Sequence, residues 1–366
     1  MEFRENIRNL KKTSYAKETS QAVDTSGFMD CSNGINPFGI SGKVLSSLKS
    51  YDVSELNTYP KPALGLKKVI TEYWEKVSLI EEDQIILGDG SIELIYKINK
   101  LFVDNNSLVM GYSPQFSDYV DDVHASGGRY ESYVLEESNN FRMDPDRFIQ
   151  MMDRKHTLFY LDNPNNPTGQ VIGINDLDKI IRKAAEFERP IIIDEAYGDF
   201  ISRDMSAVSL VNKYKNLIVV RSLSKGLGLA GIRAGYMVTS KCIADQYRKI
   251  SNPYEMNSIA RHIAEAALRD CDFMEECSEK IVSRKRKFTR SLKRLHLLET
   301  NESVPIMTLK HPDKNVDFED LLLKQEVKAV SCRGFVGLGQ NYVRMMINQD
   351  TDSLIDRIQR IENEIK

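Results

Sequence analysis

Five short apolar runs, each closed by a glycine or a polar residue, constrain the fold of this 366-residue chain most strongly. Stretches with apolar residues at helical spacing, such as residues 91–102 and 176–188, lie between some of them. Runs that are apolar throughout are typical of strands buried on both faces of a parallel sheet. The runs occupy residues 84–87, 107–110, 158–161, 191–193 and 217–220. This alternation of strand and helix patterns predicts an α/β fold.

The length of the chain indicates about two domains, or one large α/β unit with a smaller one. The pattern changes after residues 251–254, since helical spacing then dominates and includes a basic stretch at 284–294. An apolar stripe through this stretch favours a solvated helix over a nucleic-acid site. A strand-like run at 342–347 and a last helix from Asp352 complete the chain.

Composition excludes several classes of function. The net charge of -3 gives no general attraction to nucleic acids or membranes. No apolar run is long enough to cross a bilayer, and the first residues lack the pattern of a signal peptide. The five cysteines and five histidines are scattered without metal-ligand spacing, so we expect no metal site. These features favour a reduced cytoplasmic compartment.

A lysine in a turn after the fifth apolar run is the main candidate for chemistry. Lys225 follows Ser222 and Ser224, and Arg233 comes eight residues later. A buried-strand end is a suitable place for an amine that forms a Schiff base with pyridoxal 5'-phosphate. The two hydroxyls and the guanidinium are suited to holding a phosphate group. The alternative is an ordinary charged turn, which the other candidate residues make less favourable.

Three residues upstream fit the ring of the same cofactor. Asp194 follows three isoleucines, where a carboxylate needs a nearby cation, and a protonated pyridine nitrogen supplies one. Tyr197 and Asn166 can donate to the ring oxygen. An acidic strand end and an Asn-Pro turn are the structural alternatives for Asp194 and Asn166, and neither accounts for the whole set.

Five further positions can serve the cofactor or substrate. Asp89, Gly90 and Ser91 begin a helix-like stretch, whose free amides favour an anion, although Ser91 is equally suited to be an N-cap. Phe116 can stack on the ring or belong to the core, and Tyr59 lies in a turn that can reach a phosphate.

Two arginines near the C-terminus are candidates for binding a substrate anion. Arg344 lies inside an apolar run, where an unpaired charge would be costly, so it needs an anion such as a substrate carboxylate. Arg333 is a weaker candidate for the same task.

Two short motifs have competing interpretations. Residues 226–231 spell GxGxxG, but a strand-like run follows where a dinucleotide site requires a helix. Residues 222–225 spell SxxK, as in penicillin-binding enzymes, but the companion KTG motif is absent. Both interpretations are less favourable than the Schiff-base lysine.

The whole set resembles the fold-type I aminotransferases of the aspartate aminotransferase superfamily, from about residue 4 to 347. The resemblance implies a large domain, residues 44–250, with a mostly parallel seven-stranded sheet sandwiched by helices. It implies a smaller α+β domain built from residues 1–43 and 251–366. It further implies a homodimer with shared active sites, in which Tyr59 reaches the cofactor phosphate of the neighbouring subunit, and a substrate-side position for Asn36.

Two subgroups share the resemblance. Residues 4–10 and 223–236 look like histidinol-phosphate aminotransferases, whereas residues 32–39, 88–96 and 194–200 look like threonine-phosphate decarboxylases. The first subgroup implies amino transfer between a donor, with L-glutamate expected, and a small phosphorylated keto compound. The second implies decarboxylation of O-phosphoserine or O-phosphothreonine at the same site.

In either reaction Lys225 is freed by the incoming amine, and in transamination it becomes the base that moves the proton from the substrate Cα. A third hypothesis is a binding module that has kept the fold without activity. The presence of Lys225, Asp194, Tyr197 and Asn166 together argues against it.

Overall fold

The computed structural model describes residues 1–13 and 27–365. Its helices are α1 (Glu5–Arg8), α2 (Gly42–Lys49), α3 (Leu64–Trp74), α4 (Ser91–Phe102), α5 (Ser117–Ala125), α6 (Pro145–Met151), α7 (Ile174–Glu186), α8 (Lys241–Arg248), α9 (Ser258–Leu268), α10 (Cys271–Ser291), α11 (Phe318–Lys324) and α12 (Thr351–Glu364). None of these described helices has both the length and the apolar character needed to span a lipid bilayer.

The strands include every apolar run noted in the sequence. They are β1 (Met29–Asp30), β2 (Ile85–Gly88), β3 (Leu108–Ser113), β4 (Arg129–Val134), β5 (Leu158–Asp162), β6 (Ile191–Glu195), β7 (Leu217–Ser222), β8 (Gly235–Thr239), β9 (His296–Leu297), β10 (Ile306–Lys310), β11 (Val327–Lys328), β12 (Val330–Ser331) and β13 (Tyr342–Met346).

Seven of these strands form the main sheet, in the order β2-β8-β7-β6-β5-β3-β4. Only β8 runs antiparallel to its neighbours, so the predicted mostly parallel seven-stranded sheet is confirmed. The edge strand β4 was not among the predicted strands, because its residues are half-buried or exposed and mostly polar. The strand β8 follows the GxGxxG motif, as the sequence predicts, whereas a dinucleotide site requires a helix at that point.

Helices cover both faces of this sheet. Apolar residues of α3, α6, α7 and α9 pack against one face, and those of α4, α5 and α8 pack against the other. Side chains within β2, β5, β6, β7 and β8 are buried throughout, as the uninterrupted apolar runs predict. Each fully buried aliphatic side chain in such a core contributes roughly 1.5–3 kcal/mol.

A second, smaller core lies around a four-stranded antiparallel sheet in the order β12-β13-β10-β9. Helices α10, α11 and α12 pack on this sheet. The short strand β1, from the N-terminal part of the chain, pairs in parallel with β11 to form a separate two-stranded sheet beside this core. Apolar residues of α9 belong to the larger core. The boundaries proposed at residues 43 and 251 remain predictions.

Candidate active site

The polar residues singled out in the sequence meet at one edge of the main sheet. β2, β5, β6 and β7 run in the same direction, so their carboxyl ends lie together at that edge. Asp162 at the end of β5 is directly opposite Asp194 in β6. Ligands in open α/β sheets bind at this kind of edge.

Asp194 is a buried carboxylate held by two donors. The Tyr160 hydroxyl donates to its Oδ2 at 2.9 Å, and the Ala196 amide donates to its Oδ1 at 3.0 Å. Burial raises the pKa of Asp194 to about 7, the Tyr160 hydrogen bond opposes this, and the nearby Asp162 raises it further. A cation beside this carboxylate would relieve the cost of burying its charge.

Tyr197, three residues after Asp194 in the chain, has a buried hydroxyl. Its Oη is inaccessible and makes no hydrogen bond to any residue within 1–13 or 27–365. Burial raises the pKa of this phenol, and the Arg344 charge opposes the increase. A buried hydroxyl left in this state needs a partner, because an unmade hydrogen bond costs free energy.

The Lys225 turn is fastened to the residue 33–36 segment. Lys225 Nζ lies 3.4 Å from the Asn33 carbonyl oxygen, to which it donates, and 5.6 Å from the centre of the Tyr197 ring. The Asn36 amide donates to the Lys225 carbonyl at 2.9 Å, and its side chain donates to the Gly226 carbonyl at 2.7 Å. The structure therefore places Asn36 against the lysine turn. Its substrate role stays a prediction.

A small anion cradle lies between the start of α4 and the end of β7. Gly90 has a φ of +84°, and a Cβ there would lie 2.7 Å from Arg233 Nη2. Arg233 Nη1 donates to Ser224 Oγ at 3.3 Å, and the Ser224 amide donates to Ser222 Oγ at 3.2 Å. Ser91 opens α4, and the first amides of a helix have no acceptor within it, which favours an anion at this end.

Asp89 has a supporting position beside this cradle. Its Oδ1 accepts a hydrogen bond from the Met256 amide at 3.1 Å, and its own amide donates to Glu93 Oε2 at 2.6 Å. Burial raises the pKa of the Asp89 carboxyl. These bonds fix the backbone that leads into Gly90.

Asp162 organises two predicted site residues and was missed in the sequence. Its Oδ2 accepts the Asn166 amide at 3.0 Å and the Phe116 amide at 3.3 Å, and its Oδ1 accepts the Asn165 side chain at 3.1 Å. Burial raises the pKa of Asp162 to about 6. The available signal was an acid closing an apolar run, the same pattern that identified Asp194.

Arg344 brings the smaller sheet to the site. It is buried in β13, where its Nη1 donates to Asn166 Oδ1 at 3.2 Å and its Nη2 donates to the Ser32 carbonyl. Because Asn166 lies on the main-sheet side, this contact joins both cores at the site. A buried guanidinium with fork geometry is suited to a carboxylate or a phosphate.

Two predicted residues lie apart on the surface. Arg333 is mostly exposed, and its Nη2 contacts Asp317 at 2.7 Å and Gln340 at 3.0 Å. Tyr59 is 76% exposed and stacks on Tyr254 with 4.4 Å between ring centres. The functions predicted for Arg333 and Tyr59 remain predictions.

The arrangement fits pyridoxal 5'-phosphate in four respects. The cradle at Gly90 and Arg233 offers a guanidinium and serine hydroxyls to a phosphate, and the glycine leaves the backbone there uncovered by a Cβ. The Tyr197 hydroxyl provides a donor for a ring oxygen, and Asp194 provides an anion for a pyridinium nitrogen. Lys225, whose Nζ lies beside the Tyr197 ring, supplies the amine.

Gly34 allows a test of how tightly this site is packed. It has a φ of +61°, and a Cβ there would overlap the Tyr197 hydroxyl. We expect Gly34→Ala to weaken cofactor binding by about tenfold, since it adds strain of roughly 1 kcal/mol and displaces the phenol. Titrating the apoprotein with pyridoxal 5'-phosphate measures the effect.

Gly39→Ala is the matched control, because Gly39 also has a positive φ of +82° but a Cβ there meets no atom within 4 Å. If both variants bound the cofactor equally, crowding at Tyr197 would not be the cause.

Comparisons with known proteins show what the whole chain is similar to. The model of the family "Aminotransferase class I and II" matches residues 26–360. A histidinol-phosphate aminotransferase of Methanococcus maripaludis is 29% identical over 368 residues, covering 100% of this chain and 96% of that protein. The crystal structure of the histidinol-phosphate aminotransferase from Clostridium acetobutylicum superimposes with a TM-score of 0.83 at 25% identity, covering 92% and 99% of the two chains. The Sinorhizobium meliloti enzyme solved with pyridoxal 5'-phosphate has a TM-score of 0.81, 22% identity and 98% coverage of both chains, and shows the shared fold.

Proposed function

The chain belongs to the class I and II aminotransferases, and on this premise we propose that it exchanges an amino group between L-glutamate and a small phosphorylated ketone, the one related to histidinol phosphate. It is a pyridoxal-phosphate-dependent transaminase. The observation that carries the proposal is the buried Arg344, an anion-binding group beside Asn166 and Tyr197. The full-length similarity to histidinol-phosphate aminotransferases supports the choice of ketone.

We assign the cofactor contacts from the geometry described above. Asp194 would hold the ring nitrogen, and Tyr197 and Asn166 would donate to the ring oxygen. Phe116 would cover the ring, and its backbone amide is held by the Asp162 carboxylate. When bound, the cofactor stabilises negative charge that develops at the substrate Cα. The phosphate contacts come from Gly90, Ser91, Ser222, Ser224 and Arg233, with Asp89 supporting their backbone.

Lys225 moves the proton in this proposal. With the cofactor bound, the Lys225 amine would take the proton from the substrate Cα and deliver it to C4′ of the cofactor. The bonds from Asn36 to the Lys225 and Gly226 carbonyls hold the turn, so the amine swings from a fixed backbone.

Arg344 binds both substrates in turn. Glutamate presents a carboxylate on Cα, whereas histidinol phosphate presents a phosphate ester one carbon and one oxygen farther out. A guanidinium can form paired hydrogen bonds with either anion. The phosphate is larger and more charged than the carboxylate. We therefore propose that Arg333 or residues near the N-terminus also bind it, together with Arg344.

We also propose a homodimer in which Tyr59 reaches the cofactor phosphate of the second subunit. The segment around Tyr59 exposes an unusual number of large apolar side chains, which favours a covered surface: Leu45, Leu48, Val53, Leu56 and Leu64. Light scattering that gave only the monomer mass of 41.8 kDa would contradict this. The cytoplasmic location stays a prediction.

The test is a two-substrate assay of the cofactor-loaded protein. We expect glutamate to form from histidinol phosphate and 2-oxoglutarate, with kcat/KM about 100-fold higher than for histidinol, which lacks the phosphate. Equal rates for the two amines would contradict the proposed substrate. Release of carbon dioxide from O-phosphothreonine without any keto acceptor would instead establish the decarboxylase alternative.

A further inference from the structure

Tyr160 is a buried phenol that touches the site without belonging to the predicted set. It lies in β5, two residues before Asp162 and therefore on the same face of the sheet. Its backbone pairs with Ile192, so its side chain lies alongside β6 two positions before Asp194. Its hydroxyl donates to Asp194 Oδ2 at 2.9 Å.

The ring of Tyr160 is held in place by a second tyrosine. Tyr119 of α5 stacks on it with 3.5 Å between ring centres and 10° between ring planes. Tyr130 of β4 then meets Tyr119 edge to face at 6.3 Å. All three rings belong to or pack against the same core. A phenol clamped in this way presents its hydroxyl from a fixed position.

Asp194 depends on this hydroxyl for its orientation. The Ala196 amide holds Oδ1, and Tyr160 holds Oδ2, so the two bonds together fix the plane of the carboxylate. Asp162, directly opposite on β5, repels the same charge. The Tyr160 bond favours the ionised carboxylate, in the sense opposite to burial and to Asp162, and so lowers the pKa of Asp194.

We propose that Tyr160 is a positioning residue for the cofactor, which acts by holding the Asp194 carboxylate ionised and aimed at the ring nitrogen of pyridoxal 5'-phosphate. This rests on the proposed function of Asp194. Tyr160 itself need not touch the cofactor or the substrate. The stacked Tyr119 supports the ring and has no hydrogen bond of its own from its hydroxyl in the described residues.

The test compares two variants that each remove one hydroxyl from the same stack. We expect Tyr160→Phe to weaken binding of pyridoxal 5'-phosphate to the full-length protein by about tenfold, since it removes a hydrogen bond to a charged group. Tyr119→Phe should bind the cofactor within about twofold of wild type. We also expect kcat to fall in Tyr160→Phe while KM for the amine changes little.

A double-mutant cycle with Asp194→Asn distinguishes an effect of Tyr160 that acts through Asp194 from a general disturbance of the structure. In the Asp194→Asn protein, adding Tyr160→Phe should change cofactor affinity by less than about twofold. Equal weakening in both backgrounds would overturn the proposal, and so would equal effects of the two tyrosine variants. Cofactor binding is measured without substrate, so this test remains valid even when the substrate assigned under the proposed function is wrong.

Discussion

Replacing Lys225 with alanine is expected to lower kcat for transamination by at least about 10³-fold, because the variant loses the group that moves the Cα proton. The cofactor should still bind, since Asp194, Tyr197 and the anion cradle at Gly90 and Arg233 remain. Single-turnover absorbance changes with an amine donor measure the chemical step separately from cofactor binding.

A matched control and a chemical label sharpen this prediction. Lys225→Arg keeps the charge but cannot release a proton near neutral pH, so it should be as inactive as alanine. Lys280→Ala removes a half-exposed lysine next to Phe38 and should leave activity intact. Borohydride treatment of the native protein should attach the cofactor to Lys225. A label on another lysine, or an active alanine variant, would contradict the proposed site.

Local sequence patterns were enough to predict most of the main sheet and to single out several residues that lie together at the candidate site. The predicted strand at 191–193 corresponds to β6 and the predicted helix at 91–102 to α4, because these segments follow burial periodicities that depend only on neighbouring residues. Asp194 and Lys225 became candidates for a similar reason, since each closes or follows an apolar run.

Residues that depend on pairing between strands were not predictable in this way. Tyr160 looks like an ordinary core aromatic in sequence, and only the register of β5 against β6 brings its hydroxyl to Asp194. Asp162 was noted only as the end of a run. Its three hydrogen bonds depend on the path of the following loop, which the chain order alone does not fix.

The two arginine candidates show what sequence periodicity cannot predict. Arg344 and Arg333 are both basic residues near apolar ones, but Arg344 lies in a central strand of the smaller sheet and Arg333 in a short 3-10 turn. Burial distinguishes them, since Arg344 is enclosed beside Asn166 whereas Arg333 pairs with Asp317 on the surface. Such a difference depends on tertiary packing, which periodicity does not report.

A buried charge network on the opposite face of the sheet was also missed. Arg221 lies opposite Glu195 in the β6–β7 register, with Nη1 2.8 Å from Glu195 Oε2, and its Nη2 contacts Asp199. The guanidinium also lies over the Trp74 ring, 5.1 Å from its centre. A Cβ at Gly226, next to Lys225, would overlap Asp199, so the network packs directly beneath the lysine turn.

Arg221→Met is expected to lower the free energy of unfolding by about 3–5 kcal/mol, because it leaves Glu195 and Asp199 buried without their cation. The midpoint and slope of urea unfolding of the apoprotein measure this. Arg286→Met breaks a pair with Glu302 of which both members are more than half exposed, and should cost less than about 1 kcal/mol.

The loss of unfolding free energy in Arg221→Met should also depend on pH in a defined direction. Burial already raises the pKa of Asp199 and Arg221 opposes that, so the variant moves the folded-state pKa further above the unfolded value. A carboxyl group shifted upward destabilises the fold where it is charged, and that cost disappears as pH falls through the folded pKa. The difference in free energy of unfolding between the variant and wild type should therefore be larger at about pH 8 than at about pH 5.

Adding Glu195→Gln and Asp199→Asn to the variant should recover much of the lost unfolding free energy, since no unpaired charge would remain. A loss of unfolding free energy that did not change with pH and remained in the triple variant would contradict this. It would mean that the side chain of Arg221 contributes by packing, chiefly against Trp74, and that its charge has little effect.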